Sequence, residues 1–476
     1  MKFIMEIKVS ENKELSKDFV KIAFDAKIAE SFFVEKNGEK TLVIKSPEKK
    51  EINRRKLVLL ARKIIQEAKK HRAKKIAVDF SDLNFKAVSR KPEEIAEILA
   101  VNFEMANYEF VKYKTKPKEG WNFVEEVRII AEKKDLKNIE EGIKKGRIVG
   151  EETNACREIV NMPGGDMTPR VLVQEIKKAI KDTPIKMKVL EEADMKKLGM
   201  GGILGVSRGS VEKPKFIILE YMMSRKEKPI VLIGKGITFD TGGLNVKPEN
   251  YMSDMHLDMT GGAAVTHAMI AAAKLGVKKK VIGLIPAVEN MPSGQSYRPG
   301  DILKTISGKT IEVANTDAEG RIILADAHGY AGRYKPRLVI NIATLTGAVK
   351  VALGERASGL FSKDEKLGKE IFSLAEESGD PVWPMPLWEE YKSDIKGNFG
   401  DIANLRSVGD PRYGGAIHAA IFLAQFAEKF SRWAHLDIGS RDTLNPDELL
   451  AKGASGVSVR LLVKILEKCS LSGFLR

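Results

Sequence analysis

Apolar residues fall into two patterns along this chain, short continuous runs and helical stripes, and the two alternate. In the first third, Phe3–Val9, Ile76–Phe80 and Val127–Ala131 read as strands. Val34–Glu35 and Thr41–Ile44 flank Asn37-Gly38, a hairpin signal whose spacing predicts a loop longer than two residues. Within Lys49–Lys75, Ile52, Leu57, Leu60, Ile64 and Ile65 mark one stripe of a helix. A second helix is predicted over Pro92–Tyr108, where Pro and two Glu suit the first turn. Asp135–Val160 reads as one long helix through Leu136, Ile139, Ile143 and Val149, although Gly142, Gly146 and Gly150 work against it.

After Pro163 the runs become continuously apolar. Strands are predicted at Phe216–Tyr221, Ile230–Ile233, Val281–Pro286, Leu338–Leu345 and Ala434–Ile438. Helices are predicted near Thr260–Leu275, Arg321–Tyr334, Leu367–Glu377, Ala416–Phe430 and Val457–Lys468. Uninterrupted apolar strands separated by helices imply a mostly parallel sheet covered on both faces. The predicted class is therefore α/β with two domains. A smaller N-terminal α/β domain spans residues 1–135, a connecting helix 136–160, and a larger C-terminal domain 161–476.

Composition narrows the chemistry. Hydrophobic residues make up 43% of the 476 and charged residues 30%, which supports large cores and argues against disorder. No apolar stretch reaches membrane-span length, and MKFIMEIKVSENKE turns polar within about ten residues and leaves no secretory core, so a cytoplasmic protein is expected. Cys156 and Cys469 are the only cysteines, too few for a disulfide framework or a four-cysteine zinc module. No HExxH occurs among the six histidines, so metal chemistry would rest mainly on carboxylates. Residues 1–135 carry 31 basic and 23 acidic side chains, over half of the chain's +15 excess. Much of it lies in Lys49–Lys75, which reads either as a solvated helix face or as a nucleic-acid patch.

Three segments carry candidate chemistry, each beside a predicted strand end or helix start, where α/β sheets bind ligands. In Val231–Pro248 a buried strand runs into a glycine-rich loop holding Lys235, Asp240 and, just beyond, Lys247; no GxxxxGK[ST] phosphate loop is present. In Met255–Val265, Asp258 immediately precedes an apolar helix, as a helix cap or as a ligand. In Asn315–Arg321, NTDAEGR, an extended backbone would point Asp317, Glu319 and Arg321 to one side. Asp240, Asp258, Asp317 and Glu319 repel one another unless cations intervene, and two divalent ions would balance them. Lys235 could join as a ligand only as a neutral amine. All-oxygen donors suit Mg or Mn, and a nitrogen donor shifts the preference towards Zn, Co or Mn.

NTDAEGR resembles the signature of the leucyl (cytosol, M17) aminopeptidases. GKGITFDTGGLNVKP (Gly234–Pro248), ENMPSGQSYRPGDI (Glu289–Ile302), ATLTGA (Ala343–Ala348) and WAHLDI (Trp433–Ile438) resemble further blocks of that family, in the same order. The likeness spans residues from about 150 to 465. It implies an exopeptidase that releases N-terminal Leu and other apolar residues from peptides with a free N-terminus, a homohexamer in the cytoplasm with no membrane association. It implies that Lys235, Asp240, Asp258 and Glu319 hold one metal ion and that Asp240, Asp317 and Glu319 hold a second. The ions would be Zn or Mn, with Co or Mg as further candidates. Lys247 would be catalytic, Arg321 would bind bicarbonate as a proton shuttle, and Met255, Thr344, Leu345 and Gly347 would line the substrate pocket. His256 and His328 depart from the family's usual residues without replacing a ligand. Two other readings are an added DNA-binding role for the basic N-terminal domain and a two-metal phosphohydrolase.

Overall fold

The computed structural model describes residues 5–11, 14–224, 227–410 and 412–468; the start of the first predicted strand and Cys469 lie outside them. The chain forms two compact units, Met1–Asn154 with Leu444–Gly453 and Ala155–Thr443 with Ala454–Arg476.

In the first unit, β1 (Glu6–Ser10), β2 (Phe19–Asp25), β3 (Phe32–Lys36), β4 (Glu39–Lys45), β5 (Lys75–Asp79) and β6 (Glu126–Ile130) form one sheet in the order β1-β6-β5-β2-β4-β3. All pairs are parallel except β3–β4. Helix α1 (Arg54–Lys70) links β4 to β5, and α2 (Pro92–Asn107) links β5 to β6. Both crossovers step in one direction across the sheet. Right-handed connections therefore place both helices on one face, where they pack together.

Two local expectations change here. Lys36 pairs with Glu39, so the hairpin loop is just Asn37 and Gly38, both at positive φ (53° and 78°). That is the short turn the Asn-Gly pair favours. The polar residues flanking it disguised the strand ends, because β3 is an exposed strand at the sheet edge. The long helix α3 (Leu136–Val160) forms despite its glycines. A Cβ on Gly142 would lie 2.2 Å from the Glu93 carbonyl oxygen, and one on Gly146 2.5 Å from that of Glu97. The glycines are where α3 meets the backbone of α2, a packing reason that outweighs their low propensity.

The second unit contains β7 (Lys186–Leu190), β8 (Lys215–Met222), β9 (Ile230–Gly234), β10 (Gly236–Asp240), β11 (Lys280–Asn290), β12 (Ile302–Lys304), β13 (Thr310–Glu312), β14 (Leu338–Ala343), β15 (Ser358–Ser362), β16 (Val382–Pro384), β17 (Ile402–Ala403) and β18 (Trp433–Asp437). Nine of these build the main sheet, in the order β16-β15-β18-β14-β9-β11-β8-β7 with β10 on β11. The centre, β18-β14-β9-β11, is parallel, and β15 and β8 flank it antiparallel.

From β9 the chain passes through the helix Thr260–Lys274 to β11 on one side. From β11 it returns through the helix Glu319–Ala331 to β14 on the other. The first helix packs with Val459–Lys468 and the second with Gly415–Phe426, so each face of the sheet carries its own helical layer. The direction in which successive parallel strands are added to the sheet thus reverses beside β9, and open α/β sheets bind ligands at such a point, beyond the strands' carboxyl ends.

Candidate metal centre

The carboxyl ends of β9, β10, β14 and β18 supply the floor of one acidic crevice. Lys235 follows β9 directly. Its N–H donates to the Ile342 carbonyl of β14 (3.0 Å), and its Nζ reaches the Thr344 carbonyl (3.0 Å), Asp258 (2.8 Å) and Glu319 (2.9 Å). Small residues make this convergence possible. A Cβ on Gly320 would lie 2.6 Å from Lys235 Cε, and one on Gly261 would lie 2.2 Å from the Ile342 carbonyl oxygen.

Asp240 ends β10, a strand that pairs parallel with β11 through a register shift after Ile237. The glycine-rich segment after β9 is therefore partly a strand and not wholly the loop expected. Asp240 Oδ1 accepts from the Gly242 N–H and from Asn290 Nδ2, both at 2.8 Å, while its Oδ2 pairs with Lys247 Nζ at 2.8 Å. Lys247 also pairs closely with Asp317. Asp258 sits in the turn Met255–Met259 against β10, where Thr344 Oγ1 donates to its Oδ1 (2.7 Å).

NTDAEGR is not extended. Asp317 lies in a turn in which its N–H donates to Asn315 Oδ1 (2.7 Å), and Glu319 is the first residue of the following helix. A helix start, rather than strand alternation, brings the two carboxylates together. Carboxylate oxygens of Asp240, Asp317 and Glu319 lie within 4.8 Å of one another. Arg321 sits in the helix's first turn, buried, with Nη1 donating to the Asn404 carbonyl oxygen (2.8 Å).

Burial and charge act against each other throughout the crevice. Burial disfavours the Lys235 and Lys247 ammonium groups, but the surrounding carboxylates prevail and raise both pKa values. Burial chiefly raises the carboxyl pKa values of Asp258, Asp317 and Glu319. It also lowers Arg321 to about 10, against the opposing fields of Glu319, Asp437 and Asp317, so this arginine stays charged near neutral pH. The side chains suit a divalent cation. Glu319 Oε2 is buried with no hydrogen-bond partner, and three carboxylates present oxygens at ligand spacing.

The structure therefore gathers Lys235, Asp240, Lys247, Asp258, Asp317 and Glu319 in one network. Thr344 is buried beside it, half-buried Leu345 follows, and Gly347 starts the helix Gly347–Leu353. Met255 is half-buried at the start of the turn that carries Asp258. His328 lies elsewhere: its Nδ1 bonds the Leu324 carbonyl (2.7 Å), and its Nε2 accepts from the Trp433 indole (2.9 Å). His256 is half-buried in the Asp258 turn, and burial lowers its pKa.

Several supporting residues escaped the sequence reading. Asn290 Nδ2 and Tyr297 OH both donate to the Thr316 carbonyl (3.0 and 2.7 Å), fixing the Asp317 turn. Asp437, fully buried at the end of β18, accepts from the Leu345 N–H (3.1 Å) and Thr346 Oγ1 (2.7 Å). Burial pushes it up to about 6. An acid closing the apolar run of WAHLDI was the available signal.

The model of the "Cytosol aminopeptidase family, catalytic domain" matches residues 154–463, and that of the family's N-terminal domain matches 42–117. A "Probable cytosol aminopeptidase" of Nitrosococcus oceani is 43% identical over 382 residues, 79% of this chain and 75% of its own length. One from Chlorobaculum tepidum is 41% identical over 407 residues, 82% of this chain and 79% of its own. The solved structure "Bottromycin maturation enzyme BotP in complex with Mn" superposes with a TM-score of 0.84 at 27% identity, covering 95% of this chain and 100% of that one. Alongside an acidic cluster fit for divalent metal, these likenesses show that the chain is a peptidase of the cytosol aminopeptidase family.

Proposed function

We propose that this enzyme is a two-metal exopeptidase that releases Leu and other apolar residues from the free N-termini of peptides. The observation that carries the proposal is the joining of Lys235, Asp258 and Glu319 with Asp240, Asp317 and Lys247 at the reversal point of the sheet. Lys235, Asp240, Asp258 and Glu319 would hold one ion, with Lys235 as a neutral amine. Asp240, Asp317 and Glu319 would hold the other, helped by the Asp317 carbonyl. Zn or Mn suits this mixed donor set, with Co or Mg as further candidates. Such ions, when bound, polarise the scissile carbonyl and lower the pKa of the attacking water.

A free α-amine, in its neutral form, would be a ligand to one of these ions, which selects a chain end. The chain's own groups do the rest. Lys247, a cation at neutral pH, stabilises negative charge developing on the carbonyl oxygen. Arg321 would hold a bicarbonate ion, whose chemistry is proton transfer. Met255 and Leu345, both half-buried, would offer an adaptable apolar surface beside Thr344 and Gly347.

The test is a pair of substrates, leucinamide and N-acetyl-leucinamide, supplied with Mn²⁺ or Zn²⁺. Only the first should be cleaved; equal rates would refute recognition of the amine. A homohexamer in the cytoplasm is proposed on the same resemblance. Among the described residues no helix is long and apolar enough to cross a membrane. An added DNA-binding role gains little support from α1. Lys56 pairs with Glu51, Lys69 with Glu109, and Arg62 Nε donates to Asn102 within the protein.

A further inference from the structure

The turn that carries Asp317 is gripped by an uncharged side chain that belongs to none of the motifs above. Asn404 follows β17, which pairs with β13, and it is fully buried. Its Oδ1 accepts from the main-chain N–H groups of Ala314 (2.7 Å) and Asn315 (3.2 Å). Its Nδ2 donates to the carbonyls of Asn315 (2.6 Å) and Ala318 (3.3 Å). A carboxamide offers two donor hydrogens and two acceptor lone pairs, and here all four are used. The partners stand on both sides of Asp317 in the chain. The Asn404 carbonyl in turn accepts from Arg321 Nη1 (2.8 Å).

The segment leading to Asn404 is itself anchored. Glu312 Oε2 accepts from the N–H groups of Asn398 (2.7 Å), Phe399 (2.8 Å) and Gly400 (3.2 Å), and the Asn404 N–H donates to the Glu312 carbonyl (3.0 Å). Thr316, within the turn, is held separately by Asn290 and Tyr297. Side chains from distant parts of the chain thus fix the main chain around Asp317.

We propose that Asn404 is a positioning residue: it clamps both arms of the turn that aims Asp317 and Glu319 and, through its main chain, anchors Arg321. The inference rests on the metal-binding reading above. Aspartate at this position would keep the acceptors but lose both donors. Leucine would fill similar space and remove all four of these hydrogen bonds to the main chain of Ala314, Asn315 and Ala318.

The experiment compares Asn404→Leu and Asn404→Asp in the full chain, with Asn107→Leu as control. Asn107 is also buried and bridges the Val124 N–H (2.9 Å) and carbonyl (2.8 Å), in the other unit. Mn²⁺ affinity is read by calorimetry, kcat and KM on leucinamide, and stability by thermal unfolding. Asn404→Leu should weaken Mn²⁺ binding and lower kcat by about 10–100-fold, the range for groups that orient metal ligands, with KM changing less than about threefold. Asn404→Asp should fall between it and wild type, and Asn107→Leu should lose stability alone.

Wild-type Mn²⁺ affinity and kcat in a folded Asn404→Leu would overturn the proposal, as would equal losses in Asn107→Leu. If Asn404→Leu does not fold, wild-type values in Asn404→Asp overturn it. A wild type that cleaves no free-amine substrate, beside an Asn404→Leu that still binds Mn²⁺ more weakly, would refute the exopeptidase reading and leave the positioning role standing.

Discussion

Replacing Lys235 by Met keeps an unbranched stem of similar length and removes its charge from the acids. The ammonium lies 2.8 Å from Asp258 and 2.9 Å from Glu319. At an effective dielectric of about 20, each contact is worth roughly 6 kcal/mol of Coulomb attraction. Taking the ammonium and two carboxylates out of water costs several kcal/mol each, which cancels most of that gain. Deleting one partner of a buried pair leaves the acids uncompensated, and the expected loss in the metal-free protein is about 3–5 kcal/mol. The Lys235 pKa is raised, so its contribution is complete below the ordinary lysine value of about 10.4 and fades only as pH rises beyond it. Measurement at pH 8 therefore samples all of it. The assay is urea unfolding in EDTA and again in saturating Mn²⁺. In Mn²⁺ the gap should persist or widen, because wild type keeps the nitrogen ligand that the variant lacks and ligand binding adds about 2.7 kcal/mol at a hundredfold excess over Kd. Equal stability of the two proteins in EDTA would refute this reasoning.

Lys247→Ala should reduce kcat on leucinamide by about 10²–10³-fold, the usual effect of removing one charge-stabilising donor, while metal content by atomic absorption stays at the wild-type value; loss of metal would make Lys247 structural. Burial lowers His328 to about 4, so its neutral form stabilises the fold fully above pH ~6.5, and roughly 3 kcal/mol is lost as pH falls from there towards 4. His328→Leu strands the Trp433 indole N–H and should cost about 1–3 kcal/mol near pH 7, yet flatten the decline on acidification; an unchanged slope in pH-dependent unfolding would contradict this. Gly142→Ala should gain about 1 kcal/mol of helix propensity and lose more, because its Cβ would lie 2.2 Å from the Glu93 carbonyl oxygen and 2.8 Å from Ala96 Cβ. Higher stability of this variant in urea would mean that α2 and α3 separate easily.

Much of the fold was legible because burial imposes rhythm. Trp433–Asp437 and Lys280–Asn290 were found from continuous apolar runs, and Thr260–Lys274 and Glu365–Ser378 from helical stripes, within a few residues at most ends. Of the strands that escaped, β12, β13, β16 and β17 have two or three residues, too few to show a period, while β2, β7 and β15 are longer but have their apolar runs broken by lysine, serine or glycine. β10 escaped because its glycine and Thr-Phe-Asp resemble a loop, and its pairing with β11 depends on a distant partner. Four acids were legible as an electrostatic problem, since like charges in apolar surroundings demand a cation. How Asp317 and Glu319 meet was not, because a turn running into a helix and an extended strand both bring residues two apart near each other. Asn290 and Asn404 were illegible, and Asp437 showed only as an acid within the apolar run of WAHLDI. Buried polar side chains at strand ends answer to main-chain groups far away in sequence, so no local spacing announces them.

The reversal of strand order beside β9 also leaves the site to be completed from a late part of the chain. Lys235 lies at the middle of the chain, whereas the loop at Leu345 and Thr346 is tied down by Asp437, at the end of the last strand in the sequence. Contacts separated by so many residues form late, because closing long loops costs entropy before anything is gained. A partly made chain has most of the acids but lacks the piece that secures their surroundings. The surroundings of the acidic centre are complete only once β18 lies between β14 and β15.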